Sequence, residues 1–162
     1  NYIEQAESVK PQQITALFNA LRKEFSYIIV DMSSNIDENS LKILDCSDWI
    51  LFTTIVNIPA IRNAQRCLNL FRSRRYPKDK VKIVVNRYMD NDEIKIEDIE
   101  NTLAEKVYWK IPNNYFTIME AINKGITISE ANPASNISNS FRDFASKVSD
   151  DIIEQSVLQY RV

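Results

Sequence analysis

The chain of 162 residues holds no histidine, two cysteines and one glycine. Without histidine, no Ser-His-Asp triad, histidine metal site or histidine proton switch operates within it. Cys46 and Cys67 are too few for a Cys-only zinc site or a disulfide scaffold. Average usage of about 7% would give roughly eleven glycines, and Gly125 stands alone. A dinucleotide fingerprint and a Walker A loop each need several glycines in a short stretch, so neither is encoded here. No apolar run approaches the ~20 residues of a membrane span. No signal peptide is visible, and the first residue is Asn1 rather than Met. A net charge of −2 gives no global pull toward nucleic acid or an anionic membrane. Two cysteines without a secretion signal fit a reducing cytoplasm.

What remains is an ordinary globular composition, 44% hydrophobic and 26% charged, long enough for one domain over 1–162. Residues 1–10 read as an irregular lead-in. Pro11 opens a helix over 11–24, with Ile14, Leu17, Phe18 and Leu21 at helical spacing. Tyr27 to Val30 is an apolar run that predicts a strand buried on both faces. The alternation then repeats. Helices are expected over 37–45, 59–75, 95–106 and 114–124, with strands over 49–54, 81–85 and 107–111. Gly125 suits the residue that ends the 114–124 helix. Ile137, Phe141, Phe144, Val148 and Ile152 mark a last long helix. Strand starts 22 to 32 residues apart fit βαβ units of about 30 residues. The expected fold is α/β, a mainly parallel sheet with helices on both faces.

In such sheets ligands bind at the carboxyl ends of the strands. The residues there are Asp31 to Ser34, Thr54 to Asn57, Asn86 to Tyr88, and Pro112 to Asn114. All four sets are polar or turn-forming. Asp31, closing the run YIIVD, is where a Walker B aspartate would hold Mg²⁺. It equally reads as a cap on the following turn.

The stretches YIIVDMSSNIDENSLKILDCSDWILFTTIVNIPAIRNAQRCLNLF, VKIVVNRY, IEDIENTL and KIPNNYFTIMEAINKG come in a telling order. Together they resemble the ParA/MinD superfamily of deviant Walker A P-loop ATPases, over about residues 12–150. The CpaE/TadZ branch of pilus-assembly ATPases is the most similar. The resemblance implies roles for matching positions. Asp31 matches the aspartate that reaches Mg²⁺ through water. Met32, Ser33 and Ser34 fall on the switch II loop. Asn86 matches the asparagine that reads the adenine edge, a task suited to an amide's paired donor and acceptor. Arg87 lines the base pocket, and Pro112 and Asn113 close over it. Asn57, Arg62, Asn63 and Arg66 lie near the dimer and partner surface.

The family's opening strand and its KGGxGKT loop have no counterpart in this sequence. The resemblance therefore reads the chain as the C-terminal two-thirds of such a domain, truncated at its N-terminus. ATP and Mg²⁺ are expected only for the intact protein, and the chain alone is expected to be inactive as an ATPase. The implied function is nucleotide-dependent dimerisation that localises or assembles a pilus or secretion apparatus. Implied partners are a second copy and the proteins of that apparatus. The location is the cytoplasm, with recruitment to a membrane complex or cell pole. The alternatives are a non-catalytic interaction module on the same fold and a ParA-type DNA-partition ATPase.

Charge placement bears on the last of these. From Trp49 to Lys78 there is no acid, while Arg62, Arg66, Arg72, Arg74, Arg75 and Lys78 are present. Residues 90–105 carry seven acids against Lys95. A basic helix can meet DNA phosphates, an acidic protein, or only solvent. The overall charge argues against DNA. The last helix carries Asp143, Asp150, Asp151 and Glu154, which argues for packing on the sheet rather than on an anionic membrane.

Overall fold

A computed structural model describes residues 9–159, and the predicted lead-in lies largely outside them. The chain divides into two compact units, residues 1–50 and 51–162.

The first unit holds helices α1 (Pro11–Glu24) and α2 (Glu38–Cys46). Pro11 sits in the first turn of α1, and its Ile14 and Phe18 are buried. The Asp37 carboxylate caps α2 by accepting the Ser40 N–H at 2.7 Å, which holds its pKa below the ordinary value. Arg22 of α1 reaches across to Asp48, both carboxylate oxygens at 3.0 Å, and to the Cys46 carbonyl at 2.7 Å. That fork closes the end of α2, where the backbone carbonyls have run out of helical partners.

The expected strand at Tyr27 to Val30 is not formed. The segment runs outside any helix or strand, with Ile29 95% exposed. A strand needs a ladder on at least one edge. Among the described residues the sheet contains only three strands, none of them from this segment. The apolar run carries the local preference of a strand without the pairing that would realise it.

The second unit carries that sheet. Its strands are β1 (Ile50–Ile55, starting on the last residue of the first unit), β2 (Val81–Tyr88) and β3 (Val107–Pro112), in the order β1-β2-β3. Strands β2 and β3 run parallel. Between strands lie α3 (Ile58–Ser73) and α4 (Ile96–Leu103). After β3 come α5 (Tyr115–Lys124), the short α6 (Ile128–Ala131) and α7 (Asn136–Gln159). Ile83, Val84 and Val85 of β2 are at most 2% exposed, as a strand covered on both faces requires. Ile61, Ala64, Leu68 and Phe71 are the buried stripe of α3, and Ile99 and Leu103 that of α4.

The last helix packs on the sheet, as the sequence predicts. Val84, Ile111 and Ile137 form a core cluster, with Trp109, Ile118, Ile128 and Phe144 against it. Phe144 stacks on Trp109 at 5.7 Å. Tyr108 of β3 donates its hydroxyl to Asp151 at 2.8 Å, and Lys147 also holds that carboxylate. Burial raises the Tyr108 pKa first, and Asp151 raises it further. The same bond, with Lys147, lowers that of Asp151. Cys46 and Cys67 are half-buried, and burial pushes the Cys67 thiol up. No described helix is long and apolar enough to cross a membrane.

Scarcity of glycine leaves a trace in the backbone. Four described positions are left-handed, and three of them are Arg75 (φ 59°), Arg87 (φ 55°) and Ala104 (φ 53°). Only Gly125, ending α5 at φ 64° as expected, is free of a Cβ there. Ala104 ends α4, a position that usually takes glycine. Ala104→Gly should raise stability by about 0.5 kcal/mol, since relief of left-handed strain outweighs the added chain entropy. Urea unfolding measures it, and a lower midpoint contradicts it. Tyr108→Phe should cost about 1 kcal/mol at pH 7. Asp151 is depressed, so its contribution is present above the unfolded value near 3.8 and is lost as pH falls through the folded value. The gap between wild type and Tyr108→Phe should therefore be constant from pH 5 to 8 and close in stronger acid. Urea titrations at several pH values check this.

Candidate functional site at the carboxyl ends of the strands

The end of β2 is shaped by a break in register. Ile83 pairs with Val107, Val84 with Trp109, Val85 with Lys110 and Tyr88 with Pro112, with an irregularity between Val85 and Tyr88. Asn86 and Arg87 occupy that irregularity. The left-handed Arg87 turns the chain, and its N–H donates to the Asn86 side-chain carbonyl at 2.8 Å. This bond fixes the amide's orientation. The carbonyl oxygen keeps a second lone pair and the amide nitrogen its two hydrogens. Asn86 is half-buried and Arg87 exposed.

The loop after β3 is tied to the same place. The Asn113 N–H donates to the Tyr88 carbonyl at 2.9 Å, and its side-chain amide lies 3.5 Å from the Met89 sulfur. Asn86, Arg87, Pro112 and Asn113 thus share one edge of the sheet. Asn114 continues the loop and starts α5, its side chain accepting the Thr117 N–H at 3.2 Å. Its amide also donates to Asn136 at 2.9 Å, which joins the loop to the start of α7. Lys110 lies 4.8 Å over the Tyr88 ring. Desolvation and then Asp90, Asp92 and Glu97 raise the Tyr88 pKa, so the phenol stays neutral.

The β1 end differs from its sequence reading. Thr54, read as part of the polar rim, is 7% exposed, and its hydroxyl is buried without a partner among the described residues. Such a group costs about 1–3 kcal/mol unless something outside them satisfies it. Asn57 caps α3, its side chain accepting the Ala60 N–H at 2.8 Å. Arg62, Asn63 and Arg66 stand exposed on α3.

Asp31 lies in the first unit, exposed and outside any strand, so the geometry predicted for it is corrected by the absence of the strand beneath it. Met32 is half-buried, and Ser33 and Ser34 are exposed. No group of three or more metal-ligating side chains occurs among the described residues. Sequence reasoning missed the contribution of Met89 and the bond that orients Asn86. Neither had a spacing signal, because both follow from the register break.

The comparisons agree with this architecture. No family model matches the chain. In sequence it is similar to the septum site-determining protein MinD of Thermotoga maritima, 26% identical over 147 residues, spanning 88% of the chain and 54% of that protein. The MinD of Bacillus subtilis is 24% identical over 156 residues, spanning 94% and 58%. The chain thus spans little more than half the length of these relatives. Among solved structures, a ParA family ATPase from Chlorobium tepidum superposes with a TM-score of 0.81 at 24% identity, covering 88% of the chain and 59% of that protein. The MinD of Aquifex aeolicus gives 0.77 at 20%, covering 88% and 61%. It is the fold of the ParA/MinD P-loop ATPases that these residues build, and MinD proteins are its relatives in sequence.

Proposed function

We propose that the chain is the base-binding portion of a nucleotide-dependent ATPase of the MinD/ParA kind, working as a dimer that recruits partner proteins. One observation carries this reading. The register break of β2 and the Asn113–Tyr88 bond bring Asn86, Arg87, Pro112 and Asn113 to one sheet edge. An oriented amide beside a guanidinium and a proline-bearing loop is a chemically apt setting for adenine. The amide donates to one ring nitrogen and accepts from the exocyclic amine.

The residues present suit the base and not the phosphates. The one glycine of the chain ends α5, so a glycine-rich cradle is not built from these residues. Mg²⁺ takes one or two carboxylates plus phosphate oxygens and water. Asp31 is the residue of this chain that we assign to it, with Met32, Ser33 and Ser34 as the adjoining switch. When bound, nucleotide with Mg²⁺ would favour one association state over another by its differential affinity.

Which apparatus is served is a finer matter. The order of motifs supports a CpaE/TadZ-like role in pilus or secretion assembly at a membrane complex. The sequence relatives are septum-site proteins, and one structural neighbour is the MinC:MinD cell division complex of Aquifex aeolicus, with a TM-score of 0.71 at 21% identity. Both support a partner protein, and we assign it to the exposed face of α3 around Arg62, Asn63 and Arg66. A ParA-like DNA contact has only the arginines of α3 in its favour.

Titration of the intact protein with a fluorescent ATP analogue tests the base site. Adenine nucleotides should outcompete guanine nucleotides. Asn86→Leu should weaken binding about tenfold, near 1.4 kcal/mol, without changing the unfolding midpoint by more than a degree or two. Equal binding of both bases, or an unaffected Asn86→Leu variant, rejects the adenine assignment.

A further inference from the structure

We propose that the exposed face of α5 is a contact between two copies of this protein, made by their α5 helices lying antiparallel. This rests on the dimeric half of the reading above and is independent of the base site. The helix is inverted relative to its own fold. Its buried residues are the small Thr117 and Ala121. Its large apolar residues face out: Tyr115 is 62% exposed, Phe116 84% and Ile122 64%. The Tyr115 and Phe116 rings meet edge to face at 5.7 Å and form one aromatic ridge.

Spacing gives this face the form of a packing surface. Tyr115, Ile118, Met119 and Ile122 fall at i, i+3, i+4 and i+7, the apolar stripe of a helix that packs on a neighbour. Ile118 lies at one margin of the stripe, against the core cluster of Val84, Ile111 and Ile137, and Met119 is half-buried. The two ends of the stripe, Tyr115 and Ile122, are open to solvent.

Charge and area select the occupant. Glu120 and Lys124 are the charged residues of α5, and they pair with each other at 2.6 Å. Helical periodicity puts both on the side away from the stripe. A neutral stripe gives little hold to a phosphate backbone or an anionic bilayer, each of which favours basic residues. It suits a copy of itself, which brings no like charge to the stripe. A two-fold axis beside Met119 sets Tyr115 of each copy against Ile122 of the other and opposes the two helix dipoles favourably. The exposed parts of Tyr115, Phe116 and Ile122 amount to about 400 Å² per copy. A standard stable interface buries about 800 Å² per partner. The contact is therefore a weak, concentration-dependent association rather than an obligate one.

Sedimentation velocity on the intact protein without nucleotide tests it. The weight-average mass should climb from monomer toward dimer as the concentration rises from about 10 to about 300 μM. Ile122→Lys should weaken the association at least tenfold and leave the circular dichroism spectrum unchanged, because Ile122 is exposed. In a background of Cys46→Ala and Cys67→Ala, Met119→Cys should give a covalent dimer on mild oxidation, since the axis brings the two thiols within disulfide reach. Glu120→Cys, on the far side of the helix, should not. A monomer at every concentration overturns the proposal. So does an association that Ile122→Lys leaves unchanged, or cross-linking through Glu120→Cys in place of Met119→Cys. Binding to phosphatidylglycerol-containing vesicles that Ile122→Lys abolishes would give the face to a lipid surface and overturn it as well. The ATP analogue is titrated in parallel, and its binding should be unchanged in Ile122→Lys. Self-association through α5 with no nucleotide binding refutes the base site alone, and nucleotide binding with no α5 association refutes the contact alone.

Discussion

Everything at the candidate site depends on how β2 pairs with β3. The pairing is parallel and buried, and it is interrupted before it ends. Val84 and Val85 are locked between layers of helix, so the strand cannot slide. The irregularity that follows has to be absorbed by Asn86 and Arg87. Arg87 takes a left-handed backbone there, a conformation that costs a non-glycine residue about 1–2 kcal/mol. The strand resumes at Tyr88 opposite Pro112, and Asn113 closes the gap by donating to the Tyr88 carbonyl. Strain at one residue is held by pairing on either side of it. Such strain persists where the surroundings over-determine it, and a binding edge is a common place for it.

The same pairing explains how much of the molecule was legible in its sequence. Helices announced themselves through spacing and caps: Pro11, Asp37, Asn57 and Gly125 stand where helices begin or end. The continuous apolar run of β2 signalled burial on both faces. Tyr27 to Val30 carries the same signal and forms no strand. Local preference says that a segment fits a sheet, but pairing is decided by what lies alongside. The candidate base site was half legible. Asn86, Arg87, Pro112 and Asn113 were named from their places after strands, and they do converge. The register break that orients the amide was not visible, because it depends on two segments more than twenty residues apart. Thr54 shows the opposite failure. A hydroxyl read as rim is buried, since composition does not say which way a strand's last residues face.

Fixing one arginine and freeing two others is the final consequence of packing. Counted along the chain, α3 and its following turn look uniformly basic. In the fold the two ends of the helix differ in kind. At the C-terminal end, Arg72 neutralises the exposed carbonyl at the end of α4, where the helix dipole is negative, and pairs with Glu105. It holds α3 to α4, and its charge is spent within the molecule. At the N-terminal end, Arg62 and Arg66 face away from the buried Ile61, Ala64 and Leu68. A charge whose field is already met inside the fold adds little to recognition, whereas a solvated one can give up water for a partner. A run of like charges in a sequence is therefore a poor measure of a binding surface.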